Sequence, residues 1–504
     1  MTGSVYDASS FRGGRLACDV VVVGSGAGGA VAAAELAELG LSVIVVEEGP
    51  YRPTETFSDD DFAMVRDLYR DGGVTAVLGR PPVAYNEGRC VGGSTVINGG
   101  MAWRTPERVI DRWRKQEAMP GFTAAALEPW FQRVELLLSV SKQDPTSIGR
   151  DQQLFRRGAD RLGWRVVDNL RAQVHCAGCN RCVFGCPTGA KQSTLVSYLP
   201  RAMTFGAEVY ADCRVERITM RGKKAVGVAG SVLGDGPGPQ GSFVVDARAV
   251  VVACGAIQTP ALLTRSGVRS QSGRIGRGLA LHPGAQVTAV FDEPVEGWKG
   301  VHQAYQVRQF EDEGIILAAV NLPPSLVARA LPVNGEELGR AMEEYPRMVT
   351  AGVLVEDTTT GRVRTIRGRP VPIYQVTERD VERVTSAVRR LAELLFEAGA
   401  QRVYLPYPTP KDGVRSVEDL RRAATPDRAD LELLTVHLMG TAAMGGDPSR
   451  HVCDPSGRVW DTASLHVVDA SLFPSPLGVN PMETIMALSS RCAMAVAEDL
   501  GALG

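Results

Sequence analysis

Nothing in this 504-residue chain offers a charged field: 55 Lys and Arg stand against 57 Asp and Glu, a formal net charge of −2. That balance excludes a broad electrostatic hold on nucleic acid or anionic lipid. Long apolar runs are missing too. The longest, such as residues 20–23 and 249–253, fall far short of the ~20 residues a membrane-crossing helix needs. Residues 1–15 are polar and rich in Gly and Ser, without the basic-then-apolar order of a secretion signal. A cytoplasmic protein with no membrane span and no nucleic-acid partner is therefore expected. Histidine is scarce, with six in the chain, which shortens the search for proton-transfer groups. The length exceeds what one hydrophobic core normally supports, so two interleaved domains are expected.

What is present begins at residues 18–23, a valine-rich run that reads as a buried parallel strand. It feeds Gly24-Ser25-Gly26-Ala27-Gly28-Gly29, an alanine-rich helix former over 30–39, a stop at Gly40 and a second apolar run ending at Glu47. Each part has a physical role in dinucleotide binding. Gly24 permits the tight turn, Gly26 admits a pyrophosphate to the backbone, and Gly29 lets the helix lie on the strand. The helix N-terminus offers N–H groups and partial positive charge to phosphates, and Glu47 is placed for a ribose. A second glycine-rich segment, residues 88–100, includes Arg89, Gly92, Gly93, Ser94 and Asn98 and frees backbone amides for a flat or anionic group.

Further on, Gly255-Ala256-Ile257-Gln258-Thr259-Pro260 follows a strand-like run. The C-terminal part carries His437-Leu438-Met439-Gly440-Thr441, then Val467-Val468-Asp469-Ala470-Ser471 and Gly478-Val479-Asn480-Pro481-Met482. In this order and spacing, over residues 18 to about 491, these motifs resemble the glucose–methanol–choline (GMC) oxidoreductases. The resemblance implies an α/β fold in which a Rossmann-like FAD-binding domain is interleaved with an α+β, sheet-plus-helix substrate domain. The FAD domain would comprise residues 12–110, 200–290 and 430–504. A helical and cysteine-bearing insertion would span 111–199, and the substrate domain 291–429. Within the latter, 348–356 and 363–377 read as strands, and 378–397 as an amphipathic helix presenting Val381, Val384, Val388, Leu391 and Leu395.

The same resemblance implies FAD, held by Gly24, Gly26, Gly29, Glu47, Arg89, Gly92, Gly93, Ser94, Asn98, Val215, Asp469, Ala470, Asn480 and Met482. Residues 88–104 contain no histidine, so the FAD is expected to be non-covalent. His437 and Asn480 fall on the family's two active-site positions. Neutral imidazole is a competent base near neutral pH. His437 would then take the proton of an alcohol, while Asn480 orients the oxygen for hydride transfer to flavin N5. The helix after Pro481 would stabilise charge on the reduced ring. His282 could contact substrate or cofactor. No role is assigned to His451 or His466.

Cys176, Cys179, Cys182 and Cys186 spell C-x2-C-x2-C-x3-C followed by Pro187, the run that holds iron–sulfur clusters in bacterial ferredoxins. A [3Fe-4S] or [4Fe-4S] cluster, a zinc ion, free thiols and a disulfide all remain open at this level. An FAD-dependent alcohol dehydrogenase that passes electrons to an acceptor protein or quinone is the leading expectation, a role that a cluster would suit. An oxidase using O2, and a non-redox lyase or decarboxylase of the same family, are the alternatives. The apolar character of the substrate domain favours a hydrophobic alcohol.

Overall fold

The computed structural model describes residues 3–503 apart from 235, 237, 321 and 411. Strand Gly14–Val23 lies at the centre of an eight-stranded sheet, parallel to Val43–Val46 on one side and Gly241–Val252 on the other. Val20 pairs with both Val43 and Ala249, and residues 20–23 are at most 5% exposed. Burying each such valine contributes about 1.5–3 kcal/mol, which explains the absence of polar alternation in these strands. Glu208–Tyr210 and Val5–Tyr6 extend the sheet beyond Val43–Val46, while Lys224–Val232 and Cys213–Arg221 extend it antiparallel on the far side. Leu465–Val467 returns from the C-terminal part to pair with Gly241–Val252.

Helix Ala27–Glu38 covers this sheet and packs against Met482–Asp499. Gly29 makes the close approach possible. A Cβ there would stand 1.9 Å from the Gly24 carbonyl oxygen. Gly24 itself has φ +100°, a conformation that favours glycine.

A nine-stranded sheet forms the second layer. Its path runs Thr75–Val77, Val83–Tyr85, Leu433–Thr435, Gly284–Val290, Met348–Val355, Ile315–Ala319, Tyr305–Val307 and Val166–Asp168, with Arg402–Tyr404 also on Gly284–Val290. Helix Glu378–Glu397 packs on it with Val381, Val384, Val388, Leu391 and Leu395 buried. The helix starts at a capping box in which Thr377 and Asp380 bond each other's backbone N–H. Residues 363–377, expected as a strand, form a hairpin, Gly361–Ile366 and Arg369–Ile373, turning at Arg367 and Gly368. Strands 75–77, 83–85, 284–290 and 433–435 lie in stretches assigned from sequence to the FAD domain, yet they pair in this second sheet. Their partners are remote in sequence, so no local pattern specifies them.

Candidate functional site

A cavity of about 1630 Å³ lies between the two sheets, and residues from both walls line it. One part of it is a nucleotide cradle. Gly24, Ser25, Gly26 and Gly28 face the cavity at the start of helix Ala27–Glu38, where exposed N–H groups favour phosphate. A Cβ on Gly26 would touch nothing nearer than the Gly93 Cα at 3.9 Å, so the space above its backbone is open to a ligand. Gly28, by contrast, touches the Val468 carbonyl, where a Cβ would stand at 1.7 Å. Ser25 ties the two glycine segments together, receiving the Gly92 N–H at 2.9 Å and donating its hydroxyl to Glu47 at 2.7 Å. Glu47 also accepts from the backbone of Ser25 and Gly49. Burial pushes its carboxyl up from the ordinary value despite those bonds.

Beside it stands a charged group of which the sequence singled out only Arg89. Glu48 meets Arg70, Arg89 and Arg214 at 3.0–3.4 Å, and Arg70 also meets Glu87 at 2.9 Å. Burial pushes Glu48 up, but the three guanidinium groups outweigh it and hold the carboxyl at about 2. Asp469 accepts from Ser471 N, Gly255 N and Thr259 Oγ1, so it joins the start of helix Gly255–Arg265 to the C-terminal motif.

Of the residues expected to hold the cofactor, Gly24, Gly26, Glu47, Arg89, Gly93, Ser94, Asn98, Val215, Asp469, Ala470, Asn480 and Met482 line the cavity. Gly29 and Gly92 do not. Gly29 packs helix on strand, and Gly92 sits under the loop with φ +95°. The open backbone at Gly26, a helix N-terminus and a buried acid at the strand end together fit a dinucleotide.

His437 and Asn480 line the same cavity. His437 Nε2 lies 3.2 Å from Asn480 Nδ2, and Gln306 Nε2 donates to Asn480 Oδ1 at 3.4 Å. His437 is partly open to the cavity and enclosed by protein elsewhere; that burial lowers its pKa to about 4. His282 does not reach the cavity. Its Nδ1 lies 3.3 Å from His437 Nδ1, the two rings edge-to-face at 89°. Its Nε2 receives the backbone N–H of Leu477 and Gly478 at 3.2 and 3.0 Å. Buried Asp357 accepts from the backbone of Leu281 and His282, holding His282 at φ +47°, a rare conformation for a non-glycine residue. The tripeptide Leu281-His282-Pro283 marked the residue in sequence; its partner did not show. His451 pairs with Glu117 and His466 lies 3.4 Å from Asp499, both apart from this site.

The cysteine run is placed differently. All four thiols are free; Cys179 is exposed, Cys182 buried, and Cys176 and Cys186 are half-buried. Cys182 Sγ accepts from buried Arg171 at 3.2 Å, and Cys186 Sγ from the Lys191 N–H at 3.4 Å. Among the described residues no group of three or more His, Cys, Asp or Glu is arranged to hold a metal ion. The iron–sulfur ligand set that the spacing suggested is therefore not assembled here. The inward thiol is committed to a cation while Cys179 faces outward. Lys191 joins this loop to the glycine segment, donating to the carbonyls of Val96, Asn98 and Cys182.

Comparison with known proteins gives one consistent result. Family models for GMC oxidoreductases match residues 65–284 and 358–489, and one for an FAD binding domain matches 19–68. A GMC-type oxidoreductase of Mycobacterium tuberculosis is 38% identical over 95% of this chain and 75% of its own length. One from Sinorhizobium fredii is 37% identical over 95% of each chain. A long-chain-alcohol oxidase of Arabidopsis thaliana is 28% identical, covering 96% of this chain and 68% of its own. Among solved structures, pyridoxine 4-oxidase from Mesorbium loti superposes with a TM-score of 0.72 at 20% identity, covering 95% of this chain and 99% of that one.

Proposed function

The chain belongs to the GMC oxidoreductase family, and from that premise we propose that His437 and Asn480 form the seat of the alcohol oxygen in an FAD-dependent oxidation of an alcohol to a carbonyl compound. One observation carries the reading: the nucleotide cradle and the His437–Asn480 pair line the same cavity. Bound FAD supplies the two-electron oxidant. Glu47 and the amides at Gly24–Gly28 hold its nucleotide part, and Asn98, Ala470 and Met482 line the same cavity. Asn98 is itself fixed, its amide donating to Met482 Sδ and its carbonyl accepting from Gly100 N. His437 and Asn480 converge on the substrate oxygen and so orient the carbinol carbon.

The substrate is a hydrophobic alcohol. Ile316, Ala318, Val320, Leu322, Leu434 and Leu438 line the same cavity, and an apolar wall of this kind favours alkyl chains over sugars. Dioxygen is the acceptor that the relatives' names favour, since the plant proteins are called oxidases. A second reading, electron delivery to a partner through a centre on the cysteine loop, rests on the spacing of Cys176, Cys179, Cys182 and Cys186 alone.

The test is aerobic turnover on a ladder of primary alcohols from ethanol to 1-dodecanol, with iron and acid-labile sulfide assayed on the same preparation. Flavin without iron, and peroxide formed in step with aldehyde, supports the oxidase. Stoichiometric iron and sulfide with turnover only on an added dye would establish the relay. No aldehyde with any alcohol and either acceptor would remove alcohol oxidation itself.

A further inference from the structure

Strand Met348–Val355 stands inside the second sheet, paired with Gly284–Val290 on one side and Ile315–Ala319 on the other. Its alternate residues have different surroundings. Val349, Ala351, Val353 and Val355 are buried in one core with helix Glu378–Glu397, while Gly352 and Leu354 are half-buried at the cavity. A glycine inside such a strand is costly. It packs nothing and loses more conformational freedom on folding than any other residue.

The fold does not require this one. Gly352 has no positive φ, and a Cβ built on it would meet only the Ala285 carbonyl oxygen and the Val320 side chain, all at 3.8 Å, an ordinary contact. Every other strand glycine among the described residues is needed for its backbone. Each either has a positive φ, as Gly14 does at +137°, or would bring a Cβ within 2.6 Å of a backbone carbonyl, as Gly230 would.

The place of Gly352 supplies a reason. Strand register puts Gln286, Gly352, Ala318 and Gln306 in one row across four strands, and all four line the cavity. The pair Leu354 and Ile316 stands on one side of this row and Val320 on the other. Between them the two small residues, Gly352 and Ala318, leave a trough. Its Gln306 end lies 3.4 Å from Asn480. Neighbouring strands are about 4.8 Å apart, so Gly352, two strands on, lies about 10 Å from Gln306.

From this geometry we infer that Gly352 is a specificity-determining residue: with Ala318 it floors a trough that seats the alkyl chain of the alcohol and sets the chain length the protein accepts. A chain laid there leaves water for Leu354, Ile316 and Val320. A side chain at position 352 would fill the trough where a long chain passes, whereas a short alcohol held at Asn480 ends before it. The glycine gives up strand stability for that room. The inference deepens the alcohol-oxidation reading and rests on it for the identity of the ligand.

The experiment compares flavin-loaded wild type, Gly352→Ala and Gly352→Val. Both variants should melt at or above the wild-type temperature, because the backbone there accepts a side chain, and both should keep wild-type flavin content. Dithionite-reduced protein takes no electrons from an alcohol, so calorimetry on it reads binding of 1-decanol without turnover. Gly352→Val should bind 1-decanol about tenfold more weakly, with Gly352→Ala in between. On the oxidised protein kcat/KM for 1-decanol should fall by a similar factor, while that for 1-butanol changes by less than about twofold. Unchanged 1-decanol binding in Gly352→Val, or an equal loss for both alcohols, overturns the proposal. So does lost flavin, which would give the trough to the cofactor, or a lower melting temperature in Gly352→Ala, which would make the glycine structural. No binding of 1-decanol by the wild type overturns it as well. Should Gly352→Val fail to fold, Gly352→Ala decides by the same signs. A wild type that binds 1-decanol but oxidises no alcohol removes the oxidation reading and leaves the trough standing.

Discussion

Two parts of the cavity lining hold their groups by opposite means. Around the nucleotide cradle charge is dense and paired: Glu48, Glu87, Arg70, Arg89 and Arg214 form one network beside Glu47. Around His437 the side chains of His437, His282 and Asn480 lie against one another, Gln306 and the backbone amides of Leu477 and Gly478. A paired network fixes a permanently charged ligand and has no proton to move. A neutral set surrounded by protein responds strongly to a charge that appears during reaction, because little water screens it.

Perturbing each part should show the difference. The largest effect is expected from His437→Ala, which should lower the rate of flavin reduction by about 10²–10⁴-fold while flavin content stays at the wild-type level; absorbance of the purified variant together with stopped-flow reduction checks both halves. Arg70→Ala should do the reverse. It leaves Glu48 and Glu87 buried without their shared partner, a loss of about 3–5 kcal/mol for a buried pair. The variant should purify with little flavin and a lower melting temperature, and retained flavin at wild-type stability would remove the network's role. Asn480→Ala should cost about 10²-fold in flavin reduction, the effect of one hydrogen-bond donor on an oxyanion, without loss of flavin. The smallest effect is on stability against pH. His437 titrates at about 4 in the fold against about 6.5 when unfolded. Between these values the unfolded chain binds the extra proton, so stability is full above about 6.5 and falls as pH drops towards 4. Melting curves of wild type and His437→Gln over that range should converge at low pH; parallel curves would mean His437 is not held neutral.

How much of this was legible in the sequence follows the range of the interactions. Strand, turn, helix and second strand at residues 14–46 are contiguous, so glycine positions and apolar runs specified them locally. The same is true of helix Glu378–Glu397, whose apolar spacing and Thr377 cap lie within one stretch. The second sheet is different: Leu433–Thr435 pairs with Val83–Tyr85 and Gly284, and nothing short-range announces that. His437 and Asn480 were found by motif. The partner role of His282 needed residues 282, 357, 437 and 477–478 brought together by the fold. Arg70 and Arg214 carried no signal beyond being arginines. The cysteine run shows the converse, since regular spacing suggested a ligand set while Arg171 and Lys191, which occupy the inward thiols' surroundings, lie outside the run.

His437 and Asn480 are proposed to serve alcohol oxidation by FAD in this cavity. Anaerobic mixing of flavin-loaded protein with 1-dodecanol, followed by flavin absorbance, tests it most directly. The account predicts bleaching with one aldehyde formed per flavin, and no comparable bleaching in His437→Ala carrying the same flavin. Bleaching at the wild-type rate in His437→Ala would contradict it.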